Sequence, residues 1–514
     1  MRGRGRGSNV FLPPHGWPVP VRKTGTFSAS GCPDLSLEYA DELVRNIGME
    51  PVSVEAPPSK SVSHRVLIGA ALAGGESLVE GVLESTDPER TRAILSAAGA
   101  LFEPLGSGAY RVRGVGGRLT GAGPGAEPVS CDVHESGTSC RLLTALLASG
   151  QGRFRIHGAP RMHRRPLGGL TGPLGELGAR FHFEEREGYP PCVLEASGLN
   201  GGAVGMALEE SSQYLSGLLM AAPQARGPLT IEITGRQVVS WPYIGLTLQT
   251  MRDFGVHFDV SERDPEAGPD APWRAVDWRS VRAARPGGVR FRVRPSAWRA
   301  GRYAVEGDWS GASYLLAAGI LGERPVIVSG LRPDSLQGDR ALLDIARSMG
   351  AELEVEPGVE RARRVSARPS RLRGVDVDMS ACPDLVPTVA VLAAAAEGET
   401  RIRGVAHLRI KESDRIAAPA RELLKAGVSV EERDDGLLIH GLGADFRLDG
   451  RVLELGVWND HRMAMSLALL ECRGADVRLD HPEVVGKSFP SFWDSWAALR
   501  GGRGRVAERR SDNV

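Results

Sequence analysis

Six segments of the chain each combine a polar opening with a helix-length run of small apolar residues that ends near glycine. They start near Ser61, Gly137, Ser211, Trp309, Asp384 and Asn459, so successive starts lie 76, 74, 98, 75 and 75 residues apart. Self-similarity at a near-constant period marks a chain built from repeated units. A run that is apolar nearly all round its helix is a buried one, so each run is expected to be the core helix of its unit. Between the runs lie second helical patterns, at 89–98, 166–177, 242–254, 339–349 and 415–426, and strand-like stretches at 154–156, 229–233 and 325–328. Each unit then holds about two helices and three or four strands. The one long interval exceeds its neighbours by 23 residues, and the surplus falls within Ser261 to Gly301, whose Pro, Gly, Arg and Trp suit a linker or an insertion. Three units on either side of it predict an α/β protein of two domains of like architecture. A length of 514 residues also exceeds what one hydrophobic core usually supports.

Charge and cysteine usage narrow the function classes. The 63 basic and 63 acidic residues cancel, so no long-range field draws nucleic acid or an anionic membrane, and anion recognition has to be local. No stretch is apolar for long enough to span a bilayer. The cysteines at 32, 131, 140, 192, 382 and 472 have no C-x-x-C pairing, which favours reduced thiols in a cytoplasmic setting over a zinc ribbon or a disulfide scaffold. Residues 1–48, with alternating Arg-Gly and scattered Pro, read as a disordered N-terminal extension, since Met49 opens directly onto the patterned sequence; an RNA-binding arm is the weaker reading. Residues 499–514 read as a basic tail.

The polar openings carry the chemistry. A helix N-terminus presents unpaired N–H groups and favours anions. The openings here hold Ser59-Lys60-Ser61, Gly137-Thr138, Ser211-Ser212-Gln213, Asp384 and Asp460-His461-Arg462; singly each reads as an N-cap, together as a site for a multiply anionic small molecule. Arginine is the default cation, only Lys23, Lys60, Lys411, Lys425 and Lys487 being lysine, so Lys60, Lys411 and Lys487 stand out as compact point charges. Lys411-Glu412-Ser413-Asp414-Arg415 packs both signs into five residues. Gly486-Lys487-Ser488 resembles the end of a P-loop, but His481 stands where that motif needs glycine. No dinucleotide fingerprint or metal-ligand spacing occurs, and Cys140 reads as a small buried residue. What remains is carboxylate and cation chemistry around anions, with Arg65, Arg165, Arg415 and Arg462 to grip them and Glu412 and Asp384 as acid and base candidates.

The stretches PPSKSVSHR (57–65), ESGTSCR (135–141), PRMHRRPL (160–167), SSQYLSGLLMAAP (211–223), EGDWSGAS (306–313), RIKESDR (409–415), NDHRMAM (459–465) and GKSFPSFW (486–493) resemble, in order, the motifs of the 5-enolpyruvylshikimate-3-phosphate synthase family, over roughly 51–498. The resemblance implies transfer of the enolpyruvyl group of phosphoenolpyruvate to shikimate 3-phosphate with release of phosphate, without a cofactor or metal. It also implies two domains, each of three β-α-β-α-β-β repeats closing over a central cleft. One domain would span 59–303, the other 49–58 plus 304–498. The expected protein is a cytoplasmic monomer whose partners are these two small molecules, with no nucleic acid and no membrane.

Carried over by motif, Lys60, Ser61, Arg65, Ser211, Ser212, Gln213, Ser240, Tyr243, Asp384 and Lys411 would bind shikimate 3-phosphate. Lys60, Gly137, Thr138, Arg165, Gln213, Arg415, His461, Arg462 and Lys487 would surround phosphoenolpyruvate. Asp384 would take the proton from the acceptor hydroxyl and Glu412 would protonate the methylene carbon, with Lys411 and Lys60 in support. The sequence departs from the family's frequent asparagine at Glu135 and at His407. Two other readings are an enolpyruvyl transferase acting on UDP-N-acetylglucosamine, disfavoured by the Ser211 and Lys411 motifs, and a non-catalytic anion- or RNA-binding protein.

Overall fold

The computed structural model describes residues 50–268, 270–356 and 364–501. Each apolar run is a helix, and a second helix follows each in sequence: α1 (Lys60–Leu72) and α2 (Thr86–Ala97), α3 (Gly137–Ala148) and α4 (Gly168–Glu176), α5 (Gln213–Ala221) and α6 (Pro242–Asp253), α7 (Trp309–Leu321) and α8 (Leu342–Ser348), α9 (Val386–Ala394) and α10 (Ala417–Lys425), α11 (His461–Ala468) and α12 (Phe492–Leu499). The first helix of each pair is buried almost all round, as its composition requires. Asp384 falls just outside α9, in a one-turn 3-10 segment that Pro383 opens and α9 continues.

The strands complete the repeat. In the second unit Val129–Asp132 and Gln151–His157 run parallel on either side of α3, and the antiparallel strands Arg180–Phe183 and Cys192–Ser197 follow α4. Parallel strands need a crossover, which α3 supplies. Two units borrow their leading strand from a distant part of the chain: Arg302–Ala304 lies parallel to Gly74–Glu80, and Val52–Glu55 lies parallel to Val326–Ser329. The chain thus passes between the two sets of units twice, after Glu55 and again around Ala304.

Of the two readings of the segment from Ser261 to Gly301, the structure shows the insertion, within one sheet, rather than the linker. It adds Arg274–Val276 as an edge strand against Phe258–Glu262 and returns as Val289–Val293, which pairs with both Phe258–Glu262 and Leu229–Val238. Its Arg and Trp serve packing, for the Arg263 and Arg290 guanidinium groups each lie 4.4 Å from the Trp273 ring. The sixth unit is shorter than the repeat: among the described residues its sheet holds only Val452–Leu455 and Asp476–Leu479, and α12 leads to no hairpin.

Two hydrophobic clusters fill the interior, one drawn from Val66 to Trp298, the other from Ala56 and from Trp309 to Trp496. Small residues let helices approach. A Cβ on Gly217 of α5 would lie 2.9 Å from the Arg141 carbonyl oxygen and 3.1 Å from Ala145 Cβ of α3, so only glycine allows this contact. Among the described residues no helix is long and apolar enough to cross a membrane. The expectations for residues 1–48, and for the basic tail beyond 501, lie outside the described residues.

Candidate active site

Arg415 is the hub of a charge network where the two sets of units meet. It follows the 3-10 turn Ala406–Ile410. Asp414 Oδ1 accepts from the backbone N–H of Ile416 and of Ala417 at 3.0 Å each, which starts α10 and leaves Arg415 pointing inward. The Arg415 side chain is 2% exposed. Its Nε and Nη2 donate to the two oxygens of Asp460 at 2.7 and 3.1 Å, its Nη1 donates to Asp384 Oδ1 at 2.8 Å, and its Nη2 lies 3.0 Å from Glu412 Oε2. A planar fork with five donors can serve three carboxylates in this way; an ammonium cannot.

Residues from the other set of units close around the hub. Tyr243 donates its hydroxyl to Asp384 Oδ2 at 3.0 Å, beside the Arg462 Nη2 donor at 2.6 Å. Arg165 Nη1 reaches Glu412 Oε1 at 3.4 Å. Arg161 donates twice to the Lys411 carbonyl oxygen, at 2.8 and 3.2 Å. Lys487 Nζ lies 3.9 Å from Glu412 Oε1 and 3.6 Å from Glu135 Oε2, and donates to the Glu135 carbonyl at 3.2 Å. The Lys60 backbone N–H donates to Asp308 Oδ2 at 3.1 Å, and Lys60 Nζ pairs with Asp87 at 3.2 Å. Gln213 accepts from Arg141 Nη1 at 3.1 Å and donates to Thr138 Oγ1 at 3.0 Å. A Cβ on Gly137 would come within 2.7 Å of the guanidinium ends of both Arg165 and Arg141, so any side chain there would displace them.

Burial and charge set the protonation states. Burial alone would raise the pKa of Asp384, but Arg462, Arg415 and Lys411 outweigh it and hold the carboxyl below the usual range. Glu412 is likewise well below its ordinary value, because Arg165, Arg415, Lys487 and Lys60 overcome its desolvation. Desolvation pushes Lys411 down to about 8 against the pull of Asp384. Asp339 goes the other way, raised to about 7 by burial and by the like charge of Asp384.

The helix openings divide between the two readings. Ser136 caps α3, accepting from Ser139 N at 3.2 Å, and Asp460 caps α11, accepting from Arg462 N at 2.9 Å. Ser211 Oγ accepts from Gln213 N at 3.2 Å, while Ser212 makes no side-chain cap and Ser211 and Ser212 are both buried. Ser240 sits in the left-handed region at φ 56° and donates its N–H to the Ser380 carbonyl at 2.8 Å. Arg65 is buried apart from the hub, donating to Thr247 Oγ1, Ser216 Oγ and the carbonyls of Ser61 and Tyr243. His461 and His407 are buried with neither ring nitrogen hydrogen-bonded, and burial holds both neutral, His407 at about 3. Among the described residues no cluster of three or more His, Cys, Asp or Glu is arranged to hold a metal.

Reasoning from the sequence passed over Arg141, Asp87, Asp308 and Asp339, and placed Asp460 only among the helix openings. Arg141 was findable, since it lies four residues after Gly137 on the same helix face. Asp460 was visible only as a cap. Asp339 carries no local signal at all.

Comparisons with known proteins bear on the fold and the family. The profile of the EPSP synthase (3-phosphoshikimate 1-carboxyvinyltransferase) family matches residues 50–269 and 282–496. A 3-phosphoshikimate 1-carboxyvinyltransferase of Syntrophobacter fumaroxidans is 40% identical over 459 residues, 88% of this chain and 99% of the relative. One of Methanosphaerula palustris is 39% identical over 464 residues, 89% and 99%. The solved EPSP synthase of Acinetobacter baumannii superposes with a TM-score of 0.67 at 25% identity, covering 86% of this chain and 94% of that one. The fold also matches an enolpyruvyl transferase of Streptomyces tendae, with a TM-score of 0.62 at 19% identity over 88% and 95% of the two chains. With the profile and the relatives spanning nearly all of the described residues, the chain belongs to the EPSP synthase (3-phosphoshikimate 1-carboxyvinyltransferase) family.

Proposed function

We propose that this chain transfers the enolpyruvyl group of phosphoenolpyruvate to the 5-hydroxyl of shikimate 3-phosphate and releases phosphate. The observation that carries the reading is the meeting of Asp384 and Glu412, about one arginine apart on Arg415, inside a ring of cations supplied by both sets of units. Adding a hydroxyl to an enol carbon needs a base at the hydroxyl and an acid at the methylene carbon in the same step. The tetrahedral adduct then loses phosphate and returns that proton. Asp384 is the base and Glu412 the acid, with Lys411 and Lys60 in support. Ser61, Arg65, Ser211, Ser212, Ser240 and Tyr243 hold the sugar phosphate with Gln213, and Gly137, Thr138, Arg165, His461, Arg462 and Lys487 surround phosphoenolpyruvate.

The cations that keep Glu412 ionised have a second use. Carboxylate and phosphate of the incoming substrate compete for Arg165, Arg415 and Lys487, which releases Glu412 toward the higher pKa its burial favours. Holding both substrates together contributes more than either proton transfer, up to roughly 7–11 kcal/mol. The two hydrophobic clusters are read as the two domains, residues 59–303 and 49–58 plus 304–498, closing over the substrates; closure excludes water and strengthens each charged contact. The same reading makes the protein a cytoplasmic monomer with small-molecule partners and no nucleic-acid ligand.

The test is phosphate release with both substrates, beside Glu412→Gln and a control with UDP-N-acetylglucosamine as acceptor. Release that depends on shikimate 3-phosphate and drops by roughly 10²-fold or more in the variant is expected. A folded protein that releases no phosphate with either acceptor would overturn the reading.

A further inference from the structure

Glu135 stands at the mouth of α3, and the structure gives its side chain a partner 324 residues away. Asn459 Nδ2 donates to Glu135 Oε1 at 2.6 Å, while Oε2 lies 3.6 Å from Lys487 Nζ. The carbonyl oxygen of the same residue accepts from Lys487 at 3.2 Å and faces Arg165 Nη1 at 3.5 Å. Residue 135 thus bridges the two sets of units through one neutral and one charged contact. The backbone beside both partners takes an uncommon conformation. His134, at φ 47°, and the pair Trp458 and Asn459, at φ 56° and 54°, all occupy the left-handed region that non-glycine residues seldom enter. Such conformations persist where the surroundings enforce them. For Trp458 the enforcing contact is an indole N–H donated to Glu422 Oε1 at 3.0 Å.

The Lys487 ammonium has three donor directions and three surrounding oxygens: Glu135 O, Glu135 Oε2 and Glu412 Oε1. An arriving anion has to take one of those places. Glu412 is fixed by Arg165 and Arg415 as well, whereas the Glu135 carboxylate is held otherwise only by a neutral amide. Glu135 is therefore the group that yields.

We propose that Glu135 is an internal counter-anion for Lys487, which phosphoenolpyruvate must displace, and that the Glu135–Asn459 hydrogen bond holds the displaced carboxylate to one side. Glu135 then tunes the affinity for the three-carbon anion without touching the reacting atoms. The inference rests on the reading of Lys487 as a phosphoenolpyruvate contact. Its signature is selective: a carboxylate that competes with one substrate changes that substrate's KM and leaves the other's as an internal reference.

The experiment is steady-state kinetics on the full chain with Glu135→Gln, which keeps the amide-length side chain able to accept from Asn459 but removes the charge. KM for phosphoenolpyruvate is expected to fall by about 3- to 10-fold, the size of a partly buried charge pair, with KM for shikimate 3-phosphate moving less than about twofold. Asn459→Ala frees the carboxylate to stay on Lys487, so the same KM should rise. Adding Glu135→Gln to Asn459→Ala should abolish that rise. A KM for phosphoenolpyruvate that is unchanged or higher in Glu135→Gln, or that falls together with the KM for shikimate 3-phosphate, overturns the proposal. Calorimetric binding of phosphoenolpyruvate without shikimate 3-phosphate, on wild type and both single variants, reports the same competition without turnover. A wild-type chain that binds it but releases no phosphate would therefore count against the enzymatic reading and still decide the role of Glu135.

Discussion

Arg65 and Arg415 are equally buried and oppositely surrounded. Arg415 touches three carboxylates; Arg65 touches only hydroxyl and carbonyl oxygens. The electrostatics follow. Burial lowers the pKa of Arg65 to about 10, with only Tyr243 pulling the other way, whereas Asp460, Glu412 and Asp384 overcome the burial of Arg415 and raise it. A compensated guanidinium is a positioning device, which fixes where Asp384 and Glu412 point. An uncompensated one keeps a positive potential in reserve, at the cost of its desolvation, and a dianionic sugar phosphate is the kind of group that would use it. On the proposed function, one site uses the same side chain in two ways, and the neighbours decide which.

The sharpest way to break this contrast is to remove each arginine with the closest apolar mimic. Arg415→Met leaves Asp460 without its guanidinium and takes one cation from each of Asp384 and Glu412, and breaking a buried pair by deleting one partner costs about 3–5 kcal/mol. Chemical denaturation at neutral pH should show that loss, and phosphate release should vanish. Arg65→Met leaves behind only hydroxyls and carbonyls that can partly repair themselves, so a loss of about 1–2 kcal/mol is expected. Its larger effect should be on KM for shikimate 3-phosphate, raised roughly 10- to 100-fold, as the loss of hydrogen bonds from a charged donor predicts. Equal destabilisation by both variants would refute the distinction between a positioning and a receiving arginine.

Much of the fold was legible because its signal is periodic. Six apolar runs at a spacing near 75 residues located six core helices, and the 23-residue surplus located an inserted strand, though not its place in a sheet. The crossing strands Val52–Glu55 and Arg302–Ala304 left no mark in the spacing, because a strand of four or three residues does not reveal its partner. In the site, residues beside glycine, serine and lysine in short motifs could be picked out. Asp460 and Asp308 resembled ordinary caps, and they are caps: the same carboxylates also serve Arg415 and the Lys60 backbone. Local pattern shows what a residue does for its own helix. What it does across the interface depends on which helix ends meet, and that is decided by packing.

Asp339 sharpens the comparison from the acidic side. It is a buried carboxyl with no cation within ion-pair distance, bonded to the Ser310 hydroxyl, with the charges of Asp384, Arg462 and Asp308 and the Tyr243 phenol around it. It is the counterpart of Arg65, a charge whose partner is missing, but a carboxyl can discard its charge and an arginine cannot. Its pKa of about 7 in the folded chain exceeds that of the unfolded chain, near 3.8. Where a folded pKa is raised, the contribution to stability is complete below the unfolded value and is lost as pH rises through the folded one. Wild-type stability relative to Asp339→Asn should therefore fall between about pH 4 and 7 and level off above that, by an amount on the order of a few kcal/mol. Asp384 and Glu412, whose pKa values are depressed, act in the opposite sense, losing stability only as pH falls below about 4, so the two effects occupy separate windows. Denaturation midpoints at half-unit pH steps for both proteins would measure the difference. A flat difference across pH 4 to 7 would mean that Asp339 stays ionised, with Arg462 serving it as fully as Arg415 serves Asp460.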